Sequence, residues 1–144
     1  FVVDSSVTLK WIFQDEIDSQ QALELQEKHL SGDINLIAPT LWTYEIVNGL
    51  KSISLKRNDL TYNQLDEKLY QLLQCSPNLM DISDLSSLCL KYSILYKISG
   101  YDSAYITLAN AHGLTLITAD EKLVNKINDP KLAISLSQYY TIVN

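Results

Sequence analysis

The chain of 144 residues is poor in the residues that usually punctuate a fold, with four Gly, three Pro and two Cys. Its turns and helix ends must therefore be marked mainly by Ser, Asn and Asp. Cys75 and Cys89 fall in separate segments without CxxC or Cys/His ligand spacing, so two buried thiols in a reducing compartment are expected rather than a disulfide. His29 and His112 stand alone, too few for an imidazole metal site or a Ser/His nucleophile. No run approaches the ~18 uninterrupted apolar residues of a membrane span. Phe1-Val2-Val3 is too short to be an apolar export region. Repeats, low-complexity tracts and linker-like stretches are absent as well. The expectation is a single domain over residues 1–144, cytoplasmic, burying roughly 68–70% of its unfolded surface.

What is present is an alternation of short apolar runs with longer amphipathic ones. Phe1 to Asp4 reads as a strand ending in an acid, with Ser5 and Ser6 ready to cap a helix. A helix follows from about Ile17 to Leu30, stopped by Gly32. Leu36 to Ala38 is a second short strand, and Pro39-Thr40 opens a long helix towards Lys56. Thr61 with Gln64 has the form of a capping box ahead of Leu65, Leu69, Leu72 and Leu73. Leu79 to Ile82 reads as a brief strand, and Asp84 as the cap of a helix carrying Leu85, Leu88, Tyr92 and Leu95. Gly100 breaks that helix, and another runs from Tyr101 until His112-Gly113 ends it. Leu114 to Thr118 is the clearest strand. Asp120 opens a helix to about Ile127, and Tyr140 to Val143 reads as a last strand. Continuously apolar strands separated by helices predict an α/β fold: a mostly parallel sheet of about four or five short strands, with helices on both faces.

In such a sheet, ligands bind outside the carboxyl ends of the strands. Four acids are predicted at that edge. Asp4 ends the first strand, Glu45 lies early in the helix after the second, Asp102 is in the first turn after Gly100, and Asp120 sits two residues past the clearest strand. Taken singly, Asp4 and Asp120 read as helix caps and Asp102 as a complement to a helix dipole. Glu45, however, is set among Trp42, Tyr44, Ile46 and Val47. Asp102 shares a face with Tyr105, Ile106 and Ala109, at i+3, i+4 and i+7. Acids on faces that should be buried need a partner, and the few basic residues are not in these segments. Hard cations such as Mg²⁺ and Mn²⁺ take oxygen ligands and answer that need. Without a cation, clustered carboxylates raise one another's pKa. With it, they suit phosphodiester hydrolysis.

The net charge of −6 argues against unaided phosphate binding. Setting four of the 17 acids aside leaves 13 against 11 basic residues, so local placement outweighs the sum. Candidate RNA contacts are Lys10, Lys51, Lys56, Arg57, Lys97 and Lys122, each of which reads equally as a solubilising surface charge.

Val2-Val3-Asp4-Ser5-Ser6, Tyr44-Glu45-Ile46-Val47-Asn48, Tyr101-Asp102-Ser103-Ala104-Tyr105 and Ile117-Thr118-Ala119-Asp120 together resemble the PIN-domain nucleases, and among them the VapC-type toxins of prokaryotic toxin–antitoxin pairs. The resemblance spans nearly the whole chain in order and spacing. It implies a PIN-like parallel-sheet fold and Mg²⁺- or Mn²⁺-dependent endoribonuclease activity. It places Asp4, Glu45, Asp102 and Asp120 in the acidic metal-binding and catalytic cluster, with Thr118 and Ser6 as supporting hydroxyls. Asn48, one turn after Glu45, reads either as a supporting residue or as ordinary polar surface. The resemblance further implies a homodimer restrained by a cognate antitoxin whose basic tail enters the acidic groove.

Two rivals stand beside this reading, and the residues weigh against each. A haloacid dehalogenase-like phosphatase with Asp4 as nucleophile expects a second Asp two positions on, where this chain has Ser6. A catalytically inactive PIN-like protein-binding module has no need of all four acids.

Overall fold

The computed structural model describes residues 1–15, 17–57 and 59–143. Five short strands form one wholly parallel sheet: β1 (Val2–Val3), β2 (Ile37–Pro39), β3 (Asn78–Met80), β4 (Leu116–Thr118) and β5 (Ala133–Ser135). Their order across the sheet is β3-β2-β1-β4-β5. In the centre, Val2 pairs with Ile37 on one side and Leu116 on the other. β1, β2 and β4 are buried at every residue, which is why they read as plain apolar runs.

Helices flank the sheet: α1 (Ser5–Thr8), α2 (Ser19–Leu30), α3 (Trp42–Lys56), α4 (Tyr62–Gln74), α5 (Ser86–Tyr96), α6 (Gly100–His112), α7 (Glu121–Ile127) and α8 (Leu136–Val143). The α/β parallel-sheet architecture is therefore as expected. α6 packs across β1, β2 and β4, and seven consecutive residues, Ser103 to Ala109, are buried on it. The Thr61–Gln64 capping box opens α4, with both reciprocal bonds in place. Gly113 closes α6 at φ +63, a left-handed position that a side chain adopts only with strain. Gly49 serves close approach instead, since a Cβ there would stand 2.4 Å from Leu9 Cδ1.

Several boundaries differ from the sequence reading. The last strand is not Tyr140 to Val143. β5 is Ala133–Ser135, and α8 takes up the C-terminal run. The cause is a further capping box: the Gln138 N–H donates to Ser135 Oγ at 3.3 Å, and the Ser135 N–H to Gln138 Oε1 at 2.9 Å. This local signal overrides the β-propensity of Tyr140 and Thr141. β4 starts at Leu116 because the Leu114 N–H is spent closing α6 on the Ala109 carbonyl, at 2.8 Å. Asp84 does not cap α5. It lies in a 3₁₀ turn over Ser83–Leu85, led in by Asp81, which accepts from the Ser83 N–H at 2.8 Å. Cys75 and Cys89 are free thiols, half-buried rather than buried.

From β1 the chain moves outward to β2 and β3, then crosses back over β1 to β4 and β5. The direction of winding reverses between β1 and β4. A crevice opens at such a reversal, at the carboxyl ends of the strands.

Candidate active site

Asp4 and Thr118 end the two strands that flank this reversal. Asp4 leaves β1 in an extended conformation and caps α1. Its Oδ1 accepts from Ser5 Oγ at 3.2 Å and from the Ser6 N–H at 3.3 Å. Its Oδ2 accepts from Ser6 Oγ at 2.9 Å and from Thr118 Oγ1 at 2.5 Å. With their protons on Asp4, the two hydroxyls use their lone pairs on backbone N–H groups: Ser6 Oγ accepts from Ala119 at 3.1 Å, and Thr118 Oγ1 from Asp120 at 3.1 Å. The ends of β1 and β4 are thus tied together through one carboxylate. Burial raises the Asp4 pKa, and these hydrogen bonds oppose the shift only in part.

Glu45 enters from the first turn of α3. Its carboxylate accepts a short hydrogen bond from the Tyr105 hydroxyl, carried by the buried face of α6. Burial raises the Glu45 pKa to about 7; the Tyr105 bond lowers it, and the charges of Asp4 and Asp102 raise it. Burial and the charges of Asp4 and Glu45 push the Tyr105 phenol upward, so it stays a protonated donor.

Asp102 is the third residue of α6 and completes a capping box with Ser99. Its N–H donates to Ser99 Oγ at 3.0 Å, and its Oδ2 accepts from the Ser99 N–H at 3.3 Å. Asp120 is exposed and caps α7, with Oδ1 accepting from the N–H groups of Lys122 at 2.8 Å and Leu123 at 3.2 Å. The cap reading of these acids therefore holds alongside their position at the sheet edge. As the side chains stand, the described residues contain no group of three His, Cys, Asp or Glu able to hold a metal ion. The donor chemistry nevertheless fits a hard cation. All donors are oxygens, and the strongest influences on Asp4 and Glu45 are burial, hydroxyls and neighbouring acids. The caps use Asp102 Oδ2 and Asp120 Oδ1, one carboxylate oxygen of each acid.

Asn48 lines a cleft of ≈ 560 Å³ with Glu45, Leu41, Tyr44 and Tyr101. The basic candidates lie mostly elsewhere. Arg57 pairs with Asp15 at 2.5 Å and lies over the Phe13 ring. Lys51 lines a separate groove between α3 and α4, and Lys10 Nζ donates to the Ile17 carbonyl at 2.8 Å. Lys56, Lys97 and Lys122 are exposed.

Two residues of the site escaped the sequence reading. The sequence places Tyr105 only on the apolar face of α6, although a buried Tyr hydroxyl needs a partner, and Asp102 stands three residues earlier in the same helix. Ser5 was read as a helix cap, whereas its hydroxyl serves Asp4 and also acts on Glu45.

The PIN-domain family matches residues 1–128, and the chain belongs to it. PIN domains are in general Mg²⁺-dependent nucleases. Among solved structures, the fold is similar to that of the protein PAE2754 from Pyrobaculum aerophilum, with a TM-score of 0.70 at 21% identity, over 97% of this chain and 92% of that one. A comparison with curated proteins finds no match.

Proposed function

We propose that this protein is a metal-dependent endoribonuclease, the toxin of a type II toxin–antitoxin pair of the VapC type, acting in the cytoplasm. The observation that carries the nuclease reading is how the acid-bearing elements are joined: Asp4 is bonded to Thr118, two residues before Asp120, and Glu45 to Tyr105, three residues after Asp102. Asp4, at the end of β1, and Asp102, at the start of α6, both act on Glu45, whose pKa rises to about 7. Carboxylates gathered in this way are costly without a cation. Asp4, Glu45, Asp102 and Asp120 would hold Mg²⁺ or Mn²⁺.

When bound, such an ion supplies Lewis acidity and a water of lowered pKa. The chain's own part is positioning. Ser5, Ser6 and Thr118 fix the Asp4 carboxylate with four hydrogen bonds. Tyr105 fixes Glu45, which orients the attacking water in line with the scissile bond. Water oxygen joins phosphorus as the bond to the 3′-oxygen breaks, leaving 5′-phosphate and 3′-hydroxyl ends. Asp102 and Asp120 complete the anionic pocket.

The acidic balance of the chain suits an antitoxin with a basic tail as partner. The exposed Leu90, Ile94 and Leu95 of α5 suit a homodimer. One observation favours the second reading, an inactive module that binds protein: Asp102 and Asp120 are engaged as helix caps.

A labelled structured RNA incubated in Mg²⁺, Mn²⁺ or EDTA, beside the Asp4→Asn/Asp102→Asn variant, separates the two. Cleavage by the wild type alone, abolished by EDTA, is expected. Absence of cleavage, with no heat of Mn²⁺ binding by calorimetry, would leave the inactive module.

A further inference from the structure

The described surface carries two large aromatic side chains at the edge of the acid cluster. Tyr44 is 78% exposed and Tyr101 69% exposed. Each directly precedes an acid proposed above, Glu45 and Asp102, and both line the same cleft of ≈ 560 Å³ with Glu45 and Asn48. A cleft of that size accepts a small organic group of the dimensions of a nucleobase. Exposed tyrosines are unexceptional one at a time. Two that share a cleft with a carboxylate of the proposed site, on separate helices, make a surface with π faces and an amide beside it.

Phosphate attraction is a weak resource here. The chain carries a net charge of −6 and one arginine, and that arginine is engaged with Asp15. Nucleic acid bound by such a surface must draw its affinity from somewhere else. Stacking on aromatic rings is the usual alternative, because every base has a π face.

We propose that Tyr44 and Tyr101 form a stacking platform for an unpaired base of single-stranded RNA, with Asn48 hydrogen-bonding an edge of that base, so that the adjoining phosphodiester lies against the acids. The proposal rests on the nuclease reading and names how its substrate is held. A base inside a duplex is stacked on its neighbours and does not reach the platform, so unpaired segments are preferred. Because few phosphates are neutralised, binding depends little on salt. Asn48 offers both a donor and an acceptor, enough to read a base edge without demanding one base alone.

The test uses the full chain and a fluorescent 12-nucleotide single-stranded RNA in Ca²⁺, which takes oxygen ligands and lets binding be followed apart from turnover. Anisotropy is read for the wild type and for Tyr44→Ala, Tyr101→Ala, Tyr44→Phe and Tyr101→Phe, with cleavage of the same RNA in Mg²⁺ and Mn²⁺ followed in parallel. Each alanine variant is expected to weaken binding about 5- to 100-fold, and each phenylalanine variant to bind within about twofold of the wild type. An RNA carrying one abasic residue, moved stepwise along the strand, should bind the wild type poorly at one position and lose that penalty in the alanine variants. Circular dichroism should be unchanged throughout, since both side chains stand in solvent. Cleavage by the wild type with undiminished binding by the alanine variants overturns the platform and leaves the nuclease reading standing. Neither binding nor cleavage by the wild type overturns both.

Discussion

Thr118 has one hydroxyl and two obligations. It donates to Asp4 Oδ2 and accepts from the Asp120 N–H, so it joins the ends of β1 and β4 and the start of α7. Thr118→Val preserves shape and removes both bonds. Loss of two hydrogen bonds, one of them to a carboxylate, costs about 1–3 kcal/mol, and urea unfolding should show a loss in that range. Glu45 gives the opposite sign. Its folded pKa, about 7, lies above its ordinary value of 4.5. Between those two values the folded state binds more protons than the unfolded one, so metal-free stability falls as pH rises through that window. Burial raises the Asp4 pKa in the same direction. Glu45→Gln should therefore stabilise the metal-free protein at pH 8 and change little at pH 4. Solvent screening at the half-exposed Glu45 reduces the gain to about 1–2 kcal/mol. Urea midpoints in EDTA at the two pH values test this, and a wild type more stable at pH 8 than at pH 5 would contradict it. Tyr105→Phe removes a bond that lowers the Glu45 pKa, and carboxyl NMR should find Glu45 titrating above its wild-type value.

At the scale of elements, the sequence was readable where one local rule acted alone. Thr61 and Gln64 announce α4, and Gly113 ends α6 because a left-handed residue is needed there. Leu116 to Thr118 stands out because a strand buried on both faces must be apolar throughout. The reading failed where two rules competed. Tyr140 to Val143 has strand composition but follows Ser135 and Gln138, whose reciprocal bonds start a helix. Ala133-Ile134-Ser135 is too short and mild to stand out, and only pairing with β4 makes it a strand. Ser135→Ala tests which rule decides. Loss of this cap should cost about 0.5–2 kcal/mol and reduce helical circular dichroism, whereas an unchanged spectrum would mean that packing alone sets α8. The site was readable to a similar degree. Strand ends and helix starts put Asp4, Glu45, Asp102 and Asp120 at one edge of the sheet, the candidate site, since that edge collects both. Tyr105 and Ser5 were hidden because their roles depend on which elements meet, and spacing along one segment does not report that.

For the molecule as a whole, the deciding quantity is the free energy of holding desolvated carboxylates at the reversal of the sheet. Asp4 and Glu45 are both held above their ordinary pKa, first by burial and, for Glu45, also by the charges of Asp4 and Asp102. A divalent cation that binds the folded chain removes this cost and stabilises by mass action, about 2.7 kcal/mol at one hundred times its dissociation constant. Binding must displace protons from Glu45, so affinity for Mn²⁺ should rise with pH up to about 7 and level off above it. The melting temperature should accordingly increase with Mn²⁺ at pH 8 and respond weakly at pH 5. Asp4→Asn removes a proposed ligand and a buried charge together. It should melt above the wild type in EDTA at pH 8 and gain nothing from Mn²⁺, so the order of the two proteins reverses when metal is added. A merely structural Asp4, which caps α1 and ties β1 to β4, gives the contrary pattern: the variant melts below the wild type in EDTA and keeps the same response to Mn²⁺.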